Sequence, residues 1–173
     1  MTHTPTQIRV DNLPALSRLF ADVRQFGQDP SELLGIWGAT LDASVRSRFD
    51  RGVGPGGIPW PISHRAAAQG GKTLVDKGNL EGSLRFEVRP GELEIGFDGM
   101  GASSKHARTH QFGAVIVPKN GPGLRFKLPD GSFRFARKVT IPARPMLGID
   151  EDDRRDMREV AIEHLRSLTN GRP

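Results

Sequence analysis

The sequence predicts a single α+β domain, in which N-terminal helices and a C-terminal helix pack on one face of a mainly antiparallel sheet. Apolar residues near both ends of the chain recur at three- and four-residue spacing, which is typical of amphipathic helices. Between them, apolar and polar residues alternate in short runs separated by glycine- and proline-rich turns, which is typical of antiparallel strands. The length of 173 residues fits one hydrophobic core, so we expect residues 1–173 to form one domain.

Two helices are predicted before the sheet. Residues 1–11 are expected to be flexible, and a first helix is expected over Leu13–Phe26, where apolar residues share one stripe. Asp29-Pro30-Ser31-Glu32 then supplies an N-cap, a proline at the first helical position and an acid in the first turn, which together start a second helix. The inward stripe of this second helix comprises Leu34, Trp37, Leu41, Val45 and Phe49.

A long loop is predicted over residues 51–71. Glycine and proline are so frequent in this segment that neither helix nor strand is expected. Long loops inside compact domains are commonly functional or flexible. Trp60, which stands between two prolines, is expected to anchor the loop on the core.

The middle of the chain is predicted to form the sheet. Apolar and charged residues alternate over 84–89 and again over 92–97, so these runs should form a β-hairpin around Pro90-Gly91 with one buried face. Further strands are expected over 114–117, 124–128 and 132–141, with turns at Asn120-Gly121-Pro122-Gly123 and Pro129-Asp130-Gly131. We define residues 117–139 as the basic hairpin.

The last helix is expected to begin at Asp150 and to stop at Asn170-Gly171. An acidic first turn suits the helix dipole, and Asp150 can cap the first turn. The inward stripe of this helix comprises Met157, Val160, Ala161, His164, Leu165 and Leu168.

The composition excludes several classes of protein. Hydrophobic residues make up 36% of the chain and charged residues 26%, as in soluble globular proteins. No apolar run approaches the roughly 20 residues that span a bilayer, and the N-terminus lacks the layout of a signal peptide, so we expect an intracellular protein. The absence of cysteine excludes disulfides, thiolate metal sites and cysteine nucleophiles.

Positive charge is concentrated in the middle of the chain. Nine lysines and arginines and one acid lie between Gly101 and Pro145, whereas the segment after it carries more acids than bases. Within the basic hairpin, phenylalanines and cations alternate along LRFKL and FRFARKV. Alternation predicts that the phenylalanines face the core and the cations face water. The cationic face is then either a solvated surface or a surface for nucleic acid phosphates, while stacking of bases on the rings is a third reading.

Two motifs suggest chemistry that the surrounding sequence does not support. Gly71-Lys72-Thr73 matches the end of a phosphate-binding loop, but Ala66 stands where the first glycine belongs and no strand is expected before it. His106 and His110 have the spacing of two zinc ligands on a helix, but no glutamate stands at Ala107 and no third ligand is near in sequence. We therefore expect no catalytic residue, metal or cofactor, and we predict that the protein is not an enzyme.

Four stretches together resemble a known family. They are the glycine-rich segment ending at Pro59-Trp60, the run Leu74-Val75-Asp76-Lys77-Gly78-Asn79-Leu80-Glu81-Gly82-Ser83, the run His110-Gln111-Phe112-Gly113, and the run Ile141-Pro142-Ala143-Arg144-Pro145-Met146-Leu147-Gly148. Their order and spacing are similar to those of the virion morphogenesis, or tail completion, proteins of Mu-like and P2-like tailed bacteriophages. The chain departs from this pattern at Lys77, where the family usually has threonine or serine, and at Met146, where it more often has phenylalanine.

The resemblance implies a tail-terminator-like structural protein of the virion, made in the host cytoplasm and acting at the tail or at the head–tail joint. It implies a ring of identical subunits, often a hexamer, that contacts tail tube and head–tail connector proteins and lets double-stranded DNA pass. No membrane is implied. The cations that would face the DNA channel are Lys119, Arg125, Lys127, Arg134, Arg137 and Lys138.

The shared motif residues are expected to act as scaffold. Gly78 should supply a special backbone angle before a short helix. His110-Gln111-Phe112-Gly113 should end a helix, with Phe112 buried and Gly113 in the left-handed conformation. Arg144, between two prolines, is expected to pair with a carboxylate or to meet a neighbouring subunit. The scaffold residues are Trp60, Leu74, Gly78, Leu80, Ser83, His110, Gln111, Phe112, Gly113, Pro142, Arg144 and Pro145.

Overall fold

A computed structural model of the chain describes residues 7–9, 30–98, 102–128 and 131–170. Its helices are α1 (Ser31–Arg51), α2 (His64–Gln69), α3 (Asn79–Gly82), α4 (Ala102–Phe112) and α5 (Glu151–Asn170). Its strands are β1 (Gln7–Arg9), β2 (Leu84–Arg89), β3 (Glu92–Phe97), β4 (Ala114–Ile116), β5 (Leu124–Lys127), β6 (Phe133–Ala136) and β7 (Val139–Ile141). The helix predicted over Leu13–Phe26 lies outside the described residues.

All strand pairs are antiparallel, and the α+β class is confirmed. The predicted hairpin of β2 and β3 is present in a sheet of order β1-β3-β2, with β3 at the centre and β2 at one edge, while β4 pairs with β7 and β5 pairs with β6. Strand β1 falls inside the N-terminal segment for which we predicted no strand. The strand predicted over 132–141 is two strands, because the chain leaves one partner and joins another at Arg137-Lys138.

The core forms where α1 packs on β2, β3 and α5. The predicted stripe of α1 is buried from Leu34 to Phe49, and Met157 and Ala161 of α5 face it. Strand β3 is buried along Leu93–Phe97 rather than on alternate residues, and it lies between β1 and β2 and contacts both α1 and α4. Gly38 brings helix and sheet together, since a β-carbon there would come within 2.3 Å of the Phe86 ring.

The loop over 51–71 is anchored as predicted but is not free of helix. Trp60 is 5% exposed, and its indole Nε1 donates to the Pro145 carbonyl at 2.9 Å. Helix α2 was not predicted, and that part of the prediction is wrong. It forms because the Ser63 hydroxyl accepts from the Ala66 N–H at 3.2 Å and the alanines that follow favour helix.

One buried ion pair joins α1 to the start of α5. The guanidinium of Arg48, 1% exposed, contacts the carboxylate of Asp153, 2% exposed. The second terminal nitrogen of Arg48, Nη1, donates to the carbonyls of Met146 at 3.1 Å and Gly148 at 2.8 Å. Because every partner is itself buried or part-buried, this arginine fixes the path of the chain between β7 and α5.

The start of α5 confirms Asp150 as the capping residue. Its carboxylate accepts from the Asp153 N–H at 3.0 Å, and the Asp153 carboxylate accepts in return from the Asp150 N–H at 2.9 Å. Burial acts to raise the pKa of Asp150, but hydrogen bonds from the backbone N–H groups of Gly56 and Asp153, together with Arg48, outweigh burial and hold the pKa below its usual value.

No helix within the described ranges is long and apolar enough to cross a membrane.

Arg48→Met should lower the free energy of unfolding by about 3–5 kcal/mol, because it leaves the Asp153 carboxylate buried without its counter-ion. The matched control is Arg46→Met, which removes a partly exposed pair with Asp42 on the same helix and should cost less than about 1 kcal/mol. Urea unfolding followed by circular dichroism measures both variants. Equal losses for the two would contradict a structural role for Arg48.

Candidate assembly surface

The register of β5 and β6 places rings and cations on the same faces. Arg125 is paired with Phe135, Phe126 with Arg134, and Lys127 with Phe133. Residues directly opposite each other in an antiparallel pair point to the same face. The prediction that phenylalanines and cations lie on opposite faces is therefore wrong. Alternation holds within each strand, but the register sets the rings of one strand beside the cations of the other.

The phenylalanines of the basic hairpin face solvent in the single chain. Phe126 is 37% exposed, Phe133 53% and Phe135 71%, so the expectation that they face the core is also wrong. The physical reason is that β5 and β6 pair only with each other among the described strands. The Arg125 guanidinium lies 4.0 Å from the centre of the Phe133 ring, a cation–π contact that covers part of one ring. A two-stranded hairpin on its own is only marginally stable in water. Its exposed rings are available to pack against a partner.

The predicted DNA-facing cations are all exposed. None of them has a carboxylate within ion-pair distance in the part of the chain that the structure describes. Their positive field is therefore not neutralised there by neighbouring acids. They are Lys119, Arg125 and Lys127 on one arm of the basic hairpin and Arg134, Arg137 and Lys138 on the other.

A second set of exposed apolar side chains lies around the end of α4 and the loop over 51–71. Ile62 is 73% exposed, Ile58 69%, Phe112 66%, and Val115 61%. The prediction that Phe112 is buried is wrong, and Gln111, 7% exposed, occupies the interior position instead. Successive residues of a helix point about 100° apart, so only one of the two can face inward.

Gln111 binds the backbone of the segment that leads into α5. Its amide nitrogen donates to the Leu147 carbonyl at 2.8 Å, and its amide oxygen accepts from the N–H groups of Met146 at 2.8 Å and Leu147 at 3.0 Å. These bonds satisfy three buried backbone groups in a segment that belongs to none of the described strands. Gln111 and Arg48 therefore hydrogen-bond the same backbone segment.

The predicted helix end at residues 110–113 is confirmed. Helix α4 stops at Phe112, and Gly113 has φ of 72°. A β-carbon at Gly113 would meet the backbone of Ile141 and Ala143 at 3.0 Å, so both the angle and the space require glycine.

The motif from Leu74 to Ser83 leads the chain into β2 as predicted. Gly78 has φ of 73° and precedes α3, while Leu74 has an unforeseen positive φ of 65°. Leu74 and Leu80 pack against the core. The Ser83 hydroxyl donates to the Leu80 carbonyl at 2.7 Å, and this bond closes the short helix.

The residues that suggested a phosphate-binding loop have structural partners. Lys72 forms a surface ion pair with Asp50 at 2.9 Å, and the Thr73 hydroxyl accepts from the Ser63 N–H at 3.2 Å. A turn follows Thr73 rather than the helix that a phosphate-binding loop requires. His106 and His110 share α4, and across the described ranges no group of three or more potential ligands could hold a metal ion.

Arg144 lies under the loop rather than on the surface. It is 4% exposed, its Nε donates to the Pro61 carbonyl at 2.7 Å, and its backbone N–H donates to the His110 carbonyl at 2.6 Å. Pro142 and Pro145 on either side are exposed, and the Pro145 carbonyl receives Trp60. Burial lowers the pKa of Arg144 below its usual value. The predicted pairing with a carboxylate does not occur among the described residues.

The contact between Arg48 and Asp153 was not predicted from the sequence. Both occupy positions on the inward stripes of amphipathic helices, since Arg48 follows Val45 by three residues and Asp153 precedes Met157 by four. A charged residue on an apolar stripe is the signal that would have identified them as a buried pair.

Residues 11–166 match the phage virion morphogenesis family. The chain is 26% identical over 162 residues to "Mu-like prophage FluMu G protein 2" of Haemophilus influenzae, covering 94% of this chain and 97% of that protein. No solved structure matches the chain.

Gln111→Ala should lower the free energy of unfolding by at least about 2 kcal/mol, because it leaves buried N–H and C=O groups of Met146 and Leu147 without partners. The neighbouring control Phe112→Ala truncates an exposed ring and should change the unfolding free energy of the monomer by less than about 0.5 kcal/mol. Urea unfolding at dilute protein concentration measures both. A larger loss for Phe112→Ala would contradict this assignment of the inward and outward residues.

Proposed function

The chain belongs to the phage virion morphogenesis family, which gives it a role in virion assembly, and we propose that it completes the phage tail or the head–tail joint. The observation that carries the proposal is the extent of the match, since the family covers residues 11–166 and the Mu-like prophage relative aligns over nearly its whole length. A structural role of this kind needs binding surfaces rather than reacting groups, and we propose that the protein is not an enzyme.

The proposed working form is a ring of identical subunits that resembles a tail terminator. Exposed apolar side chains on the basic hairpin, on β4 and on the loop over 51–71 support assembly, because exposed apolar surface of this kind marks protein interfaces. A head-to-tail contact between different surfaces of the same chain closes into a ring when its rotation permits. Neighbouring subunits would then cover rings that a single chain leaves in water.

We propose that the cations of the basic hairpin line the channel of this ring. Lysine and arginine side chains attract DNA phosphates without reading base sequence, which suits a channel through which a whole genome passes. The remaining partners in this proposal are the tail tube and head–tail connector proteins. The protein would reside in the virion, after assembly in the host cytoplasm.

A second candidate function is that of a nucleic-acid-binding accessory protein. The register of β5 and β6 favours it, because rings and cations share each face and could stack on bases while neutralising phosphates. This function needs no ring and no place in the virion.

The tail-completion proposal is tested by electron microscopy of particles made without this protein. Unjoined heads and tails are expected, and supplying the wild-type protein in trans should restore complete particles. Normal infectious particles from the deletion would contradict the proposal. An accessory role on nucleic acid would instead leave head–tail joining intact.

The role of the basic hairpin is tested by DNA binding of a variant with Arg125, Lys127, Arg134 and Arg137 replaced by glutamine. If these cations contact phosphates, binding should weaken strongly, and the salt dependence of log K should fall by roughly 0.9 per lost contact.

The matched control for that experiment replaces Arg51, Lys77, Arg85 and Arg158 with glutamine. It removes the same number of charges from exposed sites on other elements. Gel-shift titrations at several salt concentrations should give near wild-type binding for the control. Equal weakening of the two variants would indicate attraction by net charge alone and would contradict a specific role for the basic hairpin.

A further inference from the structure

We propose that one face of the basic hairpin docks on the outer face of α5 in a second copy of the chain. This contact rests on the proposed ring of identical subunits, and it specifies the two surfaces that meet between neighbours. We define the hairpin face as Arg125, Lys127, Phe133 and Phe135. We define the acidic stripe as the exposed acids that follow one another along α5, which are Asp152, Asp156, Glu159 and Glu163.

The two faces of the ribbon formed by β5 and β6 differ in exposure. The register of the strands puts the four residues of the hairpin face on one side, and all four are exposed. Phe133 is 53% exposed and Phe135 71%. On the opposite side, Leu124 and Ala136 are partly buried, and Phe126 is 37% exposed. The hairpin face is therefore the more open side of the ribbon.

The hairpin face calls for a partner that is both apolar and acidic. Neither β5 nor β6 packs extensively on another element in the part of the chain that the structure describes. Double-stranded DNA would meet the cations with its phosphates but would leave both rings in water, because its bases are stacked inside the duplex. A protein surface that offers an apolar side chain and carboxylates covers the rings and pairs with the cations together.

The acidic stripe supplies the carboxylates. Its members are separated by four, three and four residues, and this spacing places them on one side of the helix. Arg155 is shared by two of the acids and Arg166 pairs with a third, whereas Glu159 has no ion pair within the described ranges. The stripe thus keeps a net negative charge in the single chain, and exposed pairs of this kind are weak enough to exchange partners.

Ile162 supplies the apolar contact beside the acidic stripe. It is 41% exposed and is the one large apolar side chain that α5 exposes among its described side chains. Because it follows Glu159 by three residues, the two side chains are neighbours on the helix surface. An isoleucine next to an unpaired acid matches the rings next to cations on the hairpin face.

The contact joins two different surfaces of the same chain. Each subunit carries both a hairpin face and an acidic stripe, so the contact is head-to-tail and can continue from subunit to subunit until a ring closes. It also leaves cations for the DNA. Arg134 lies on the opposite side of the ribbon, while Lys119, Arg137 and Lys138 lie outside its paired strands.

A disulfide test exploits the absence of cysteine from the chain. Phe135→Cys and a size-tagged Ile162→Cys, co-expressed, purified together and mildly oxidised, should give a heterodimer on non-reducing electrophoresis, because the contact brings the two positions together. The matched control pairs tagged Ile162→Cys with Phe112→Cys, an exposed ring outside the basic hairpin. It should give about tenfold less heterodimer. Equal cross-linking of the two mixtures would overturn the contact.

A charge-exchange test measures the ionic part of the contact. Lys127 is the suitable cation, because Arg125 already contacts the Phe133 ring of its own chain at 4.0 Å. Lys127→Glu and Glu159→Lys should each weaken self-association about tenfold or more, since each brings like charges together. Both changes in one chain should restore association to within about threefold of wild type. Analytical ultracentrifugation measures the association constants.

The control for that test combines Lys77→Glu with Glu159→Lys. Lys77 is an exposed lysine before α3, so this variant has the same net charge as the exchanged one. It should remain as weak as Glu159→Lys alone. Equal recovery of the two double variants would indicate an effect of net charge, and it would contradict pairing between Lys127 and Glu159.

The possible results separate this contact from the proposed ring. Wild-type protein that stays monomeric at all concentrations and is absent from virions would overturn both. Wild-type protein that assembles, while the cross-linking mixture and the exchanged variant behave like their controls, would overturn the contact and leave the ring standing. If Lys127→Glu weakened binding of single-stranded DNA but not self-association, the hairpin face would meet nucleic acid and the proposed contact would be wrong.

Discussion

The buried ion pair between Arg48 and Asp153 is the constraint on which the described structure depends. The Asp153 carboxylate accepts from Arg48, from the Ser44 hydroxyl and from the Asp150 N–H, so it is satisfied only when α1 and α5 are correctly placed. Apolar packing of Trp37 and Met157 would tolerate small shifts of one helix along the other. A charge pair with fixed hydrogen bonds does not tolerate them, and it therefore sets the register between the two helices.

The segment from Met146 to Asp150 connects this ion pair to the surfaces proposed for assembly. Arg48 binds carbonyls of this segment, and Gln111 binds it through both its amide oxygen and its amide nitrogen. The loop over 51–71 is attached to the same region, because Trp60 donates to the Pro145 carbonyl and the Gly56 N–H donates to Asp150. A rigid centre thus carries exposed apolar and cationic side chains at its edges, which is what an assembly protein requires.

Features that depend on residues close in sequence could be predicted from the sequence. Contacts between residues far apart in sequence could not. The stripe of α1, the cap at Asp150 and the glycine angles at Gly78 and Gly113 follow from residues within one or two helical turns, so pattern alone identifies them. Arg48 and Asp153 are 105 residues apart, and no local pattern reports that they meet. The faces of the basic hairpin depend on the register between β5 and β6, and residues Phe126 and Arg134 share a face only because that register pairs them. The family resemblance was predictable because its motifs are local turns and helix ends.

We propose that this chain works as a virion component whose exposed side chains are covered by its neighbours. Cryo-electron microscopy of the junction between head and tail in complete particles tests this claim most directly. We expect a ring of this chain at the head-proximal end of the tail, with Phe133 and Phe135 against an adjacent subunit and the remaining lysines and arginines of the basic hairpin towards the DNA. Complete particles without this chain, or a ring in which the basic hairpin points into solvent outside the tail, would contradict it.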